Sequence, residues 1–387
     1  MEFSILLPTR NRVELLAYAI ESVLRQVHND WEIIISDNDS EDDVKGFTES
    51  FQDSRIKYFR TDKFIPVTEN WNNALHHATG DYFIMLGDDD GLLPDALENM
   101  AKLIEEKNHP EVIYVDAWQY AYPNVIPGHE KGFIQRGYTR FLLDCESDEP
   151  FFLTKEEALD LAKESMSFRI SFGFNMQHYF INRTYVERIK EFGEFFQSPY
   201  PDYYAANMLM ILADSIAVVP EPQVVIGISP KSFGFYYANQ NVSKGDAFLK
   251  HAYEDQISNN LEGILLPGSS LINSWLYSVE TIKENLSDIN QLSVDYKKYR
   301  FLQIYMNYKG SGRRGITAIL PQLSMLEKTG YFLFALYFKI LKIVGLNSVR
   351  GRIVQKFIPW PAFDPNKTEV DAKNIIEAIE YCHTKSQ

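Results

Sequence analysis

The chain has 387 residues, 45% hydrophobic and 14% aromatic, which is ample for a packed core and too long for one ordinary domain, so two domains are expected. A formal net charge of −15 argues against a nucleic-acid partner, whose phosphates need a basic face. Any phosphate compound must then be held locally, by a metal, a few cations or backbone amides.

In chain order, "FSILLP" predicts a short strand, and Leu16, Ile20, Val23 and Leu24 then recur at helical spacing. "WEIIIS" predicts a second strand and Asp42 to Phe51 a second helix, with Ser40 and Asp43 resembling a capping box. "RIKYFR" is a third strand, "TENWNNALHHA" a helix opened by Thr68, and "DYFIMLG" a fourth strand. "PDALENMAKLIEEK" follows as a helix with Pro94 in its first turn, then "EVIYVDA" as a fifth strand. From about Trp118 to Pro150 the pattern reads as loop. Helices return in "TKEEALDLAKESM" and "PDYYAANMLMILADS", and "IAVVPEPQVVIGIS" reads as a strand pair closing the sheet. Beyond about Ser232 long amphipathic helices take over, so a domain boundary is placed near residue 235. The expected fold class is α/β, a doubly wound, mostly parallel sheet followed by a mainly helical carboxyl-terminal region.

In an open parallel sheet ligands sit outside the carboxyl ends of the strands. "PTRN" follows the first strand, "DNDSEDD" the second, "TDK" the third and "GDDD" the fourth, so all four lie on one edge. Neither a G-x-G-x-x-G nor a G-x-x-x-x-G-K-[ST] phosphate turn is present. Three consecutive carboxylates, Asp88, Asp89 and Asp90, repel one another by about 3 kcal/mol per close pair at an effective dielectric of 20. That repulsion is tolerable if a divalent cation, Mn²⁺ or Mg²⁺, bridges carboxylate and phosphate, both hard oxygen donors.

The stretches "SILLPTRNR", "VLRQ", "WEIIISDNDSEDD", "NNALHHATGDYFIMLGDDDGLLPDAL" and "PYPDYYAA" resemble those of the family-2 glycosyltransferases, inverting, nucleotide-sugar-dependent enzymes with the GT-A fold. The resemblance covers about the first 230 residues. It implies a nucleotide-sugar-binding catalytic domain over 1–235, leaving 236–387 as a helical domain for acceptor or membrane interface. It also implies that Pro8, Thr9, Arg10, Asp37 and Asn38 bind the nucleoside, where many members carry two adjacent Asp residues and this chain has Asp37 then Asn38. Asp88 is implied as the ribose or metal neighbour and Asp89 as the metal ligand. Gly87 replaces the usual first Asp of the motif, which leaves the role of Asp90, assigned to the metal beside Asp89, open. Asp202 matches the catalytic base by position.

The resemblance thus implies transfer of a sugar, from UDP most simply, to a hydroxyl of a glycan or lipid-linked acceptor in polysaccharide or surface-glycan synthesis. Two other readings stay open: a sugar-nucleotide nucleotidyltransferase, against which the glycine-free "PTRNR" counts, and a non-catalytic sugar-nucleotide or glycan-binding module. Structural alternatives stand beside the functional ones. Asp88 to Asp90 could cap the following helix, and Asp202 precedes a helix too. His76 and His77 read as ordinary helix residues and His178 as a buried structural histidine. Trp118, Tyr120, Tyr122, Tyr203 and Tyr204 could stack on an acceptor sugar or fill core. Lys231, Arg313 and Arg314 could touch phosphate or carry surface charge.

The opening residues lack the basic start and long apolar stretch of a secretory signal, so the mature chain is expected to begin there. Cys145 and Cys382 imply no disulfide framework and fit a reducing compartment, hence a cytoplasmic location. Six basic residues and no acidic one occur between Lys328 and Lys356. With the aromatic stretch Phe332 to Phe338, this segment reads either as a helix at the inner face of a membrane or as one packed on the catalytic domain.

Overall fold

Runs rich in isoleucine, leucine and aromatics build a sheet that is covered on both faces, as parallel strands require. In the computed structural model, which describes residues 1–126, 128–136, 149–232, 261–287, 292–343 and 367–386, β1 (Phe3–Thr9) lies between β2 (Trp31–Asp37) and β4 (Tyr82–Met85). Both pair parallel with it, and β3 (Ile56–Arg60) pairs parallel outside β2. Phe3, Ile5 and Leu7 pack on one face with Leu16, Ile20 and Val23 of α1 (Val13–Leu24) and Leu97 and Met100 of α4 (Ala96–Glu106). Leu6 and Ile34 join the core on the other face, which includes Ala74 of α3 (Val67–His77). A short helix α2 (Val44–Glu49) links β2 and β3.

The register sets the site. Thr9 stands opposite Asp37 and Asp37 opposite Arg60, so the carboxyl ends of three strands bring those side chains into one row. Beyond β4 the chain passes through Gly87–Asp90 into β5 (Gly91–Leu92), which pairs antiparallel with β10 (Ile216–Ile228). The acidic triplet is therefore tied to the sheet at both ends. β10 in turn runs parallel to β6 (Val112–Ala121), while β9 (Tyr179–Asn182) runs antiparallel between β4 and β6. β7 (Gly132–Arg136) extends the far side antiparallel to β6, and β8 (Phe151–Leu153) pairs with β10.

Several local expectations are corrected. "IAVVPEPQVVIGIS" forms one strand, not a pair; its register breaks around Pro222, because proline offers no ladder N–H and the chain bulges there. The segment read as loop from Trp118 continues β6 to Ala121 and includes β7, since half-buried aromatic residues suit a pleated sheet. Asp43, not Ser40, caps α2, accepting from the Gly46 N–H at 2.8 Å, while the Ser40 hydroxyl accepts from the Asn11 N–H. α3 opens at Pro66 instead of Thr68, whose hydroxyl donates to the Ser198 carbonyl. Pro94 stands two residues before α4. The expected helices from Lys155 and Pro201 form as α5 (Lys155–Met166), with a Thr154–Glu157 capping box, and α7 (Pro201–Leu212); between them α6 (Arg183–Ile189) follows β9.

The helical region comprises α8 (Ser270–Asn285), α9 (Tyr296–Ile319) and α10 (Met325–Ile343). Trp275 of α8 packs on Tyr203 of α7 and on Phe174, so this region seals the flank of the sheet domain. The final described residues go back to the sheet: β11 (Thr368–Val370) pairs with β7, and Ile375, Ile379 and Cys382 of α11 (Ile375–Ser386) pack with Tyr120, Tyr122 and Val225. The boundary placed near residue 235, Cys145 and the basic positions 350, 352 and 356 lie outside the described residues.

Candidate functional site

The four polar clusters meet at the carboxyl edge of β1, β2 and β4, as the parallel order requires. Asp88 is buried and its carboxylate is fully engaged: one oxygen accepts from the Thr9 hydroxyl and the other from the Arg12 guanidinium, each at 2.9 Å. Asp37 is completely buried and accepts from the Ser40 N–H at 3.0 Å, from the Tyr58 hydroxyl at 2.6 Å and from Arg60 at 3.0 Å. Burial and that carboxylate push the Tyr58 phenol up to about 12, so it stays a donor. Asn38 clamps the next loop, its amide bonding to both the N–H and the carbonyl of Ile65 at 2.9 and 2.8 Å. In that loop Phe64 lies under the Arg10 guanidinium at 3.8 Å. Pro8, opposite Ser36, completes the rim.

Asp90 acts differently from the cation ligand expected. Its two oxygens accept from the N–H groups of Gly227 at 2.8 Å and Gly87 at 2.7 Å, and from the Gln177 amide. It latches the triplet loop to β10 and to the segment before β9. Asp89 is held only through Ser229, whose N–H donates to one oxygen at a long 3.4 Å and whose hydroxyl also bonds the carboxylate. Burial, and then the charge of Asp88, raise the Asp89 pKa, while Arg12 opposes the rise. Burial and Asp89 likewise raise that of Asp90.

Asp89 is therefore the carboxylate with acceptor capacity to spare, and a hard oxygen beside a second carboxylate fits a divalent cation. No three His, Cys, Asp or Glu side chains form a closed cage among the described residues. A cation there would draw its remaining ligands from water and a phosphate compound.

Space at this loop is minimal. A Cβ on Gly227 would meet the Asp89 carbonyl at 2.0 Å, which no side chain can relieve. Gly227→Ala is expected to displace the triplet by about 1 Å and lower kcat/KM by about 100-fold, while costing about 1–3 kcal/mol in a denaturant melt.

Asp202 lies in the first turn of α7, where it accepts only from the Tyr203 N–H at 3.0 Å. Phe174, Tyr200 and Tyr203 crowd this turn with ring centres 4.3 Å apart, and burial pushes the Asp202 carboxyl up to about 7. Only Asn175 and Met176 separate Phe174 from Gln177, the partner of Asp90, a span of at most about 11 Å.

Of the remaining candidates, Tyr120, Tyr122, Tyr203 and Tyr204 are core residues, and Trp118 lies under Arg136. His178 is buried and neutral by desolvation, bonded through Nδ1 to the Val115 carbonyl and stacked on Tyr114. His77 stacks on Phe59 and His76 meets Glu194 at the surface. Lys231 belongs to the rim: its carbonyl accepts from Arg12 and its ammonium donates to the Asn11 carbonyl at 3.1 Å. Arg314 is exposed on α9, and the side chain of Arg313 lies outside the described residues. Sequence reasoning missed Arg12, Tyr58, Arg60, Gln177 and Gly227 as site residues. Arg60 was within reach, since it closes β3 on the same edge as Asp37.

The fold is an α/β domain whose mostly parallel central strands end in an acidic rim. Residues 4–159 match the model described as "Glycosyl transferase family 2". The chain is 40% identical over 108 residues to the GalNAc(5)-diNAcBac-PP-undecaprenol beta-1,3-glucosyltransferase of Campylobacter jejuni, a match covering 27% of this chain and 35% of the relative. Two Rickettsia glycosyltransferases are matched over 17% and 18% of their lengths. The chain thus spans about a third or less of these three relatives. The UDP-Glc:alpha-D-GlcNAc-diphosphoundecaprenol beta-1,3-glucosyltransferase WfgD of Escherichia coli is 26% identical over 235 residues, covering 54% of this chain and 92% of the relative. A solved structure of S. aureus TarS 1–349 in complex with UDP-GlcNAc aligns over 84% of this chain and 93% of its own, at 15% identity and a TM-score of 0.48.

Proposed function

We propose that this protein transfers a sugar, with inversion, from a nucleoside diphosphate sugar to a hydroxyl of a lipid-linked glycan, with UDP as the simplest carrier. The observation that carries the reading is the convergence of Thr9, Arg12, Asp37, Asn38 and the acidic triplet on one sheet edge, with Asp89 the least engaged of the triplet. The names of the Campylobacter jejuni and Escherichia coli relatives, both acting on undecaprenol-linked substrates, support the acceptor class.

Asp37 and Asn38, rigidly held, present the nucleoside side of the site, and Arg10 over Phe64 walls it. Mn²⁺ or Mg²⁺ held by Asp89, with Asp88 beside it, would supply Lewis-acid stabilisation of the departing diphosphate. Arg12 and Lys231 stand at the same rim and add positive charge. Asp202 takes the proton of the acceptor hydroxyl as its oxygen bonds to the anomeric carbon and the bond to the diphosphate oxygen breaks. Since acceptor and diphosphate occupy opposite faces of that carbon, the configuration inverts. General-base help of this kind is worth about 10²–10⁴-fold.

The test is a thermal-shift screen of UDP, GDP and dTDP with and without Mn²⁺. At 100 times Kd a bound nucleotide adds about 2.7 kcal/mol, which for a chain of this size raises Tm by about 3–5 °C. UDP with Mn²⁺ is expected to give that shift. No shift with any of the three removes the reading.

A further inference from the structure

The outer face of α10 is apolar except for Thr329, whose hydroxyl donates back to the Met325 carbonyl. Leu326, Phe332, Leu333, Leu336 and Ile340 are 85%, 60%, 63%, 56% and 48% exposed. At 100° per residue they fall on one arc of the helix. The opposite face packs inward, with Phe334 against Phe301 and Tyr305 of α9 and Tyr331 against Tyr308. From Leu326 to Ile340 the apolar arc runs about 21 Å, longer than the scattered exposed leucines of an ordinary surface.

Charge says what covers it. Lys328 and Lys339 lie along one flank of this arc, and Lys339 is exposed. Between residues 328 and 356 the sequence has six basic residues and no acidic one, in a chain whose net charge is −15. An apolar stripe with a cationic flank is complementary to an anionic lipid surface. A second copy seated antiparallel and face to face would bring lysine flanks of like charge together. No helix among the described residues is long and apolar enough to cross a membrane, which leaves the in-plane arrangement for such a stripe.

We propose that α10 docks the protein on an anionic bilayer, its leucines and Phe332 among the acyl chains and Lys328 and Lys339 at the phosphate headgroups. This stands on α10 alone and does not depend on the transfer reading.

The experiment is co-sedimentation of the full chain with vesicles of phosphatidylcholine alone or mixed equally with phosphatidylglycerol, at low and high salt, together with sedimentation velocity without lipid. The mixed vesicles are expected to bind at least about tenfold more tightly than the neutral ones, and salt to weaken that preference. Leu333→Glu with Leu336→Glu should lower binding by at least about tenfold with an unchanged melting temperature. Lys339→Gln, a surface change that leaves packing intact, should lower it several-fold on mixed vesicles only. Equal binding by wild type and both variants, or no vesicle binding at all, overturns the proposal. So does a dimer in the absence of lipid that the Leu333→Glu, Leu336→Glu variant converts to monomer.

Discussion

Asp89→Ala is expected to lower kcat by at least about 10³-fold while leaving the fold intact. Asp88 is consumed by Thr9 and Arg12, and Asp90 by Gly87, Gly227 and Gln177, whereas Asp89 is held only through Ser229. Burial raises the Asp89 pKa with little hydrogen bonding to offset it, so this carboxylate, unlike the well-bonded Asp90, contributes no net stability at neutral pH. Removing it therefore costs nothing in the nucleotide-free protein, and its melting temperature should stay the same or rise. The substitutions beside it behave oppositely. Asp88→Ala leaves Arg12, only 23% exposed, without its carboxylate, and Asp90→Ala frees the loop from β10, so both should lower the melting temperature. Kinetics and melting curves on the three variants check this: loss of activity with retained stability is expected at position 89 alone.

Asp202→Asn is expected to lower kcat by about 10²–10⁴-fold and at the same time to stabilise the protein above neutral pH. Burial lifts the Asp202 carboxyl from 3.8 to about 7, so the folded state holds this proton more tightly than the unfolded chain does. Its contribution to stability is greatest below pH 4 and declines as pH rises through about 7, where the buried group must ionise. The asparagine removes that cost, worth up to about 4 kcal/mol at pH 8 by the size of the shift. Wild-type kcat should rise with pH and level off above about 7, whereas the residual activity of the variant should lack that inflection. Urea melts at pH 5 and pH 8 together with a pH–rate profile check both halves. A helix-capping role alone predicts little change in stability at any pH, since asparagine caps as well as aspartate, and an unchanged profile.

The alternation of short buried strands with helices over the first 116 residues was legible because each element has its own period, and the parallel order then forces the loops after β1, β2 and β4 onto one edge. The residues assigned to that edge from the sequence do gather there. Their division of labour was not legible. Nothing local distinguishes Asp89 from Asp90; the difference comes from Gly227 and Gln177, which lie 137 and 87 positions further along the chain from Asp90. Arg12 was hidden in the same way, since its partners Asp88 and Lys231 are brought together only by the crossover to β10. β7 escaped because its aromatic and glycine-containing surroundings carry no clear alternation, and β11 because a three-residue strand has too few side chains to show a period. Pro222 misled for a physical reason: proline ends most strands, but here the bulge absorbs it and the strand resumes.

The account depends on a cation being shared between Asp89 and a nucleoside diphosphate. Electron–nuclear double resonance of the protein with Mn²⁺ and UDP tests that directly, through the coupling of the manganese spin to ³¹P. The expected result is a protein-bound Mn²⁺ signal with ³¹P coupling that appears only when UDP is present and disappears in Asp89→Ala. A spectrum that keeps the character of free aqueous Mn²⁺ with UDP–protein mixtures, or the same coupled signal in wild type and Asp89→Ala, would contradict it.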